Sequence, residues 1–150
     1  MHFCTYGFTS LYYDEEALGK AFSGYGFELT FRLKSNGEQR DALIWVCNLL
    51  QNLGRYVFGS GNGFKANQWI PANGPINVGY PTDIVALAFV ADPQLPATDS
   101  PHGRVEFLPR VGLTSSEMDD IKAKRRTCEE VVNALRQNNP LLITDLDRRD

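Results

Sequence analysis

The side chains able to do chemistry are few and scattered. The chain has two histidines and three cysteines: His2 and His102, and Cys4, Cys47 and Cys128. His102 stands in a Pro101-His102-Gly103 turn, where an imidazole can act as a general base but an exposed loop histidine is the favoured reading, and His2 adjoins the N-terminus. Neither lies beside a serine or cysteine in a nucleophile motif such as Gly-x-Ser-x-Gly. Asp145 and Asp147 are alternate residues of an extended segment, so their carboxylates are expected to point the same way. With His102 they form the one acid–base set the chain offers, although Arg148 and Arg149 close by favour a solvated tail. Metal-ligand spacing is missing: there is no His-x-x-x-His, no Cys-x-x-Cys and no calcium-loop pattern. The cysteines are far apart and odd in number, which reads as free thiols in a reducing cytoplasm. Gly59-Ser60-Gly61-Asn62-Gly63 resembles a phosphate cradle only in composition. Such cradles open a helix after a strand, whereas this run follows a helix, where a left-handed glycine stops it.

Composition narrows the classes further. A chain of 150 residues suits one domain with a sizeable core. Hydrophobic residues make up 43% and charged residues 22%, which excludes a disordered chain. A net charge of −3 lacks the basic footprint of non-specific nucleic-acid binding. No apolar run approaches the ~20 residues of a membrane span, and Met1-His2-Phe3-Cys4 has no signal-peptide character.

The elements that must position these residues follow from periodicity. His2–Phe8 reads as a strand and Ser10–Leu18 as a short helix capped by Ser10. Gly24-Tyr25-Gly26 reads as a turn opening the strand Phe27–Lys34, whose alternation buries Phe27, Leu29, Phe31 and Leu33 on one face. Asp41–Phe58 is the clearest helix: Leu43, Val46, Cys47, Leu50, Leu53 and Val57 form one stripe, with Asp41 as N-cap. Phe64–Tyr80 reads as a long loop holding a short strand near Gln68–Ile70. Asp83–Val90 is apolar throughout, as in a strand covered on both faces. Pro93, Pro96 and Pro101 stiffen the next connection. Arg104–Leu113 is a strand in which Pro109 demands a bulge or an edge. Ser115 or Ser116 caps a helix through Lys124, a further helix covers Thr127–Arg136, and Leu141–Thr144 reads as a last strand. The expected core is Leu29, Phe31, Val46, Leu50, Leu53, Val85, Leu87, Phe89 and Phe107. This is an α+β or α/β domain, a mixed sheet against helices, without an evident active site. Tyr56, Phe58, Phe64 and Trp69 gather around the loop after the main helix, where aromatic residues serve either a core or a contact surface.

Several segments read together resemble the suppressor of fused family. They are His2–Tyr12 (HFCTYGFTSLY), Gly24–Leu33 (GYGFELTFRL), Leu53–Phe58 (LGRYVF), Asp92–Leu95 (DPQL), Gly103–Leu108 (GRVEFL), Val111–Leu113 (VGL) and Leu142–Leu146 (LITDL). Seven blocks in the family's order make the match specific where any one alone would not be. The resemblance implies the N-terminal domain fold of that family. It also implies a protein-binding role without a cofactor, since the animal members hold a transcription factor between two domains. This chain ends after the Ile-Thr-Asp block and looks like a stand-alone bacterial member. Such members are taken to be cytoplasmic immunity proteins that neutralise toxins of polymorphic toxin systems by binding them. The resemblance implies a partner grip at Tyr56 and Gln68, and the local aromatic density adds Phe64 and Trp69. Tyr56 matches the grip of the animal members, whereas Gln68 occupies the place of their aspartate. Family members also tend to carry glutamine at the place of Pro109. Longer members have residues before the His2-Phe3 block, so the first strand is expected to leave an open edge and to favour a homodimer.

Overall fold

The structure is a computed structural model that describes residues 1–150. It is a mixed six-stranded sheet with helices on both faces. The strands are β1 (His2–Cys4), β2 (Phe22–Arg32), β3 (Trp69–Pro71), β4 (Ile84–Phe89), β5 (Thr98–Ser100) and β6 (Gly103–Thr114). Their order is β1-β2-β6-β4-β3, and β5 pairs with β6 beyond the end of β4. Only β2 and β6 run parallel, with Leu29 opposite Leu108 and Phe31 opposite Arg110. The helices are α1 (Ile44–Ser60), α2 (Ser115–Lys122) and α3 (Cys128–Asn138). The α+β architecture is the expected one.

The alternation of β4 separates two cores. Ile84, Leu87 and Phe89 join Leu29, Phe31, Leu108 and the α1 stripe Val46, Leu50, Leu53 and Val57. Ala86, Ala88 and Val90 face the other way, towards Val131, Val132 and Cys128 of α3. Most of the expected core is buried, but Val85 and Phe107 are only half-buried. Cys47 is a correction: it sits at the border of the α1 stripe and is exposed.

Local chemistry moved several boundaries. The N-terminal strand stops at Cys4, because Thr5 to Thr9 fold over Glu28 instead. Ser10–Leu18 makes only a 3₁₀ turn, Glu15–Ala17, capped by Asp14. Gly24-Tyr25-Gly26 lies within β2, where positive φ at both glycines accompanies a register shift between Phe22 and Phe27. Asp41 is not a cap; it lies in a 3₁₀ turn, Arg40–Leu43, that leads into α1. Gly61, at φ 74°, ends α1 by donating to the Val57 carbonyl. Thr114 and Thr127 cap α2 and α3 with full capping boxes, displacing Ser115 and Ser116 from that role. Leu141–Thr144 contributes one parallel bridge, Thr144 to Leu33, rather than a strand. Pro109 is in the central strand, but its missing donor falls where β4 departs. Its carbonyl accepts from Val90, and the ladder to β4 starts at Arg110.

β2 departs most from expectation. From Phe27 to Arg32 every residue is buried, the polar face included. Glu28 accepts from the Thr5 and Thr9 hydroxyls and from the Gly7 and Thr9 amides at 2.6–3.0 Å. Arg32 makes a two-pronged bridge to Asp92 at 2.9 and 2.7 Å, and Thr30 donates to the same carboxylate. Arg110, also fully buried, has no partner for Nε, Nη1 or Nη2 and lies 5.7 Å from the centre of the Phe31 ring.

These two buried cations generate opposite predictions. Burial raises the Asp92 pKa, but hydrogen bonds from Arg32 and from the Gln94 and Leu95 amides, with the Arg32 charge, outweigh it and bring it from an ordinary 3.8 to about 2. A lowered folded pKa makes this stabilisation complete above pH 3.8 and progressively lost as pH falls through about 2. Asp92→Asn strands the Arg32 charge and should cost about 3–5 kcal/mol in denaturant titration at neutral pH. It should also flatten stability over the acid range relative to wild type. Arg110 is held down to about 9 by burial and is still a cation at neutral pH. Arg110→Met removes an uncompensated charge at similar volume and should stabilise the fold by about 1–4 kcal/mol. A destabilised Arg110→Met variant would show that the guanidinium has a partner.

Candidate functional site

The end of α1 and the loop after it build one open cleft. Its lining includes Tyr56, Gly63, Phe64, Lys65, Gln68 and Trp69, and its volume is about 670 Å³. All four expected partner-binding residues are therefore brought together. Their roles differ. Phe64 is 7% exposed and stacks on Phe89 at 4.2 Å, so it is the floor. Tyr56, 53% exposed, stacks on Phe64 at 5.7 Å and stands as the wall. Phe27 meets Phe64 edge-on at 6.3 Å, and Gly63 is required there because a Cβ would lie 2.7 Å from the Phe27 ring. Trp69 is half-buried and starts β3, against the face that carries α3.

Gln68 is oriented by its own turn. Its Oε1 accepts from the Lys65 amide at 2.9 Å, which leaves its NH₂ group as the free end. Asn67 takes the left-handed conformation, at φ 67°, that this turn needs. The Gln68 carbonyl accepts from Phe89 and the Cys128 thiol, holding the turn to β4 and α3. Burial pushes that thiol up to about 11, so it stays protonated. With the Lys65 ammonium, the cleft offers donors next to an aromatic wall. It abuts β3, the outermost strand on this side, whose outer edge pairs with nothing.

The acid–base set is not assembled. His102 lies before the first residue of β6, and Thr144 bonds Gly112 near its far end. The nine residue steps along β6 from Gly103 to Gly112 put roughly 30 Å between His102 and Asp145. His102 is buried, and its Nε2 accepts from the Asp14 amide at 3.1 Å, which straps the exposed Tyr12-Tyr13 loop to the β5–β6 turn. Asp145 and Asp147 do share one cleft, through an Asx turn in which Asp147 donates its amide to Asp145. Lys34 bridges Asp145 at 2.6 Å and Tyr80 donates to Asp147. The tail is docked rather than solvated, because Arg148 binds both Glu117 and the Gly112 carbonyl. His2 points from β1, and burial with the Arg32 charge lowers its pKa.

The whole chain has relatives of known type. The family model "Suppressor of fused protein (SUFU)" matches residues 1–149. The chain belongs to the suppressor of fused family. It is 33% identical over 155 aligned residues to "Suppressor of fused homolog" of Homo sapiens, and equally to that of Mus musculus. The alignments cover 98% of this chain but 31% of each relative, so the chain spans about a third of their length. Among solved structures, a chain of "the Sufu-Fu complex crystal structure" superposes with a TM-score of 0.85 at 32% identity, covering 99% of this chain and 68% of that one. Drosophila Suppressor of Fused superposes with a TM-score of 0.80 at 32% identity, covering 99% and 38%. The fold is that of the suppressor of fused N-terminal domain.

Floor and wall separate in a stability measurement. Phe64→Ala opens a cavity beneath the cleft and should cost about 3–5 kcal/mol in denaturant unfolding. Tyr56→Ala should stay within about 1 kcal/mol of wild type, as for an exposed side chain. Equal losses would mean that Tyr56 is core and not available to a partner.

Proposed function

We propose that this suppressor of fused domain is a protein-binding module that takes a partner segment in the Tyr56–Trp69 cleft and along the outer edge of β3. The observation that carries this is the juxtaposition of an aromatic, donor-lined cleft with an unpaired sheet edge. An extended segment gains main-chain bonds by adding to such an edge, while side-chain pockets beside it supply selectivity. Tyr56 gives a large, stiff contact at low entropic cost. The Gln68 NH₂ and the Lys65 ammonium favour a segment bearing carbonyl or carboxylate groups. That a similar chain was solved as a Sufu-Fu complex supports a protein as partner.

The finer reading is that of an immunity protein in a bacterial cytoplasm, which neutralises a toxin module by stoichiometric occlusion. It rests on the resemblance to stand-alone members of the family. The same resemblance assigns to Gln68 the place of an aspartate in the animal members, so a charge-assisted bond of about 1.5–3 kcal/mol would be missing. The partner is accordingly not the peptide those members hold. The outer edge of β1 is a second unpaired edge, and two copies can join there about a twofold axis.

The test uses Tyr56→Ala and Gln68→Ala in the full chain, each first shown to melt like wild type. Affinity is measured for the toxin module encoded next to this gene. A loss of about 2 kcal/mol or more at Tyr56 is expected. Wild-type affinity in both folded variants would move the interface elsewhere, with the acidic faces Asp14–Glu16 and Asp119–Asp120 next in line. Growth rescue of cells producing that module tests immunity itself; binding without rescue would overturn it.

A further inference from the structure

A second cleft lies at the opposite end of α1, closed on more sides than the first, with a volume of about 420 Å³. That is within the size range of small-ligand and side-chain pockets. Trp45 and Tyr80 give it aromatic surface, and the buried Leu33 and Leu43 give it an apolar side. Trp45 is fixed by packing edge-on against Phe31 at 6.1 Å. Tyr80 is fixed by its bond to Asp147.

The polar lining is unbalanced. Lys34 stands against Glu38, Asp41, Asp145 and Asp147. Lys34 is committed to Asp145, and the Asp145 pKa is lowered, first by that hydrogen bond. Glu38 is committed to the Ser35 hydroxyl and the Asn36 amide. Asp147 has one acceptor oxygen bonded by Tyr80, and Asp41 makes no ion pair. Free anionic acceptors therefore sit beside two aromatic rings and an aliphatic side. This suits a flat cation on an apolar stem. A guanidinium stacks on aromatic faces, bonds a carboxylate with two parallel N–H groups and sheds water more readily than an ammonium.

We propose that this cleft receives an arginine side chain of a protein partner, its stem against Trp45 and Tyr80 and its guanidinium on Asp147 and Asp41. The site is separate from the Tyr56–Trp69 cleft and does not rest on the function proposed for it.

The chain's two tryptophans make the test internally controlled, since Trp45 lines this cleft and Trp69 the other. The intact protein is titrated with N-acetyl-arginine amide while both indole N–H signals are followed by NMR. The Trp45 signal should shift and saturate in the millimolar range, with Trp69 unmoved, and the shift should weaken with added salt. N-acetyl-norleucine amide should leave Trp45 unmoved, and N-acetyl-lysine amide should bind more weakly than the arginine probe. Asp41→Asn and Asp147→Asn should each weaken binding roughly two- to fivefold, as for an exposed ion pair, with unchanged melting and an unchanged Trp69 signal. An unmoved Trp45, an equal response to norleucine or lysine, or full affinity in the double variant would each overturn the proposal. Toxin binding at Tyr56 can succeed or fail independently of all of these outcomes.

Discussion

β2 is covered on both faces, and much of the structure follows from that. A strand with one wet face can leave its polar residues in water. β2 cannot, because the Asp92–Leu95 connection and the Thr5–Thr9 segment lie over its second face. Glu28 and Arg32 must then be satisfied inside the protein, since a buried charge without a partner costs several kcal/mol. Each is met by a loop and not by another strand. Glu28 gathers two amides and two hydroxyls of the N-terminal segment, and Arg32 takes the carboxylate at the end of β4. The same bonds that satisfy the charges thus decide where both loops run.

Arg110 shows what happens when that rule is not met. It lies one strand away from Phe31 on the α1 face, where an aliphatic residue would pack, and it meets only the aromatic ring. Cation–π attraction of about 2 kcal/mol in a desolvated setting does not offset the loss of solvation. The parallel β2–β6 pair consequently carries two well-satisfied buried charges, Glu28 and Arg32, and one poorly satisfied one, Arg110. The fold tolerates Arg110 because two apolar cores flank the sheet.

The sequence made the hydrophobic skeleton legible and left the polar one obscure. The stripes of α1 and α3 and the strands β4 and β6 stand out because burial follows a fixed period. Cys47 was misplaced because a stripe has a border, and a small thiol fits either side of it. β5 was hidden among prolines, and its three residues pair only because the His102 turn brings them back onto β6. Arg32 and Asp92 are sixty residues apart, and no periodicity joins them. The candidate cleft is half legible. The aromatic density of Tyr56, Phe58, Phe64 and Trp69 announces a cluster and the resemblance adds Gln68, but only packing separates Phe64 as floor from Tyr56 as wall. Lys65 is silent in the sequence, because a lone surface lysine carries no signal until a turn places it beside Gln68. His102 differs from expectation in its burial: a loop histidine is expected to be exposed, yet here its acceptor nitrogen is occupied by a backbone amide.

α1 relates the two clefts. Trp45 lies in its first turn and Tyr56 just before its last, eleven residues apart, which at a helical rise of 1.5 Å is roughly 16 Å. The helix is packed into the core along its length by Val46, Leu50, Leu53 and Val57. A partner chain reaching from one cleft to the other needs about five extended residues. Short of that length it can occupy only one cleft, and its affinity is that of a single site. At or beyond it, the second contact becomes intramolecular, and two modest sites combine into a tight one without any further contact. On the two proposals above, a helix with a receptive cleft at each end would select partners by the spacing of their anchor residues as well as by their chemistry.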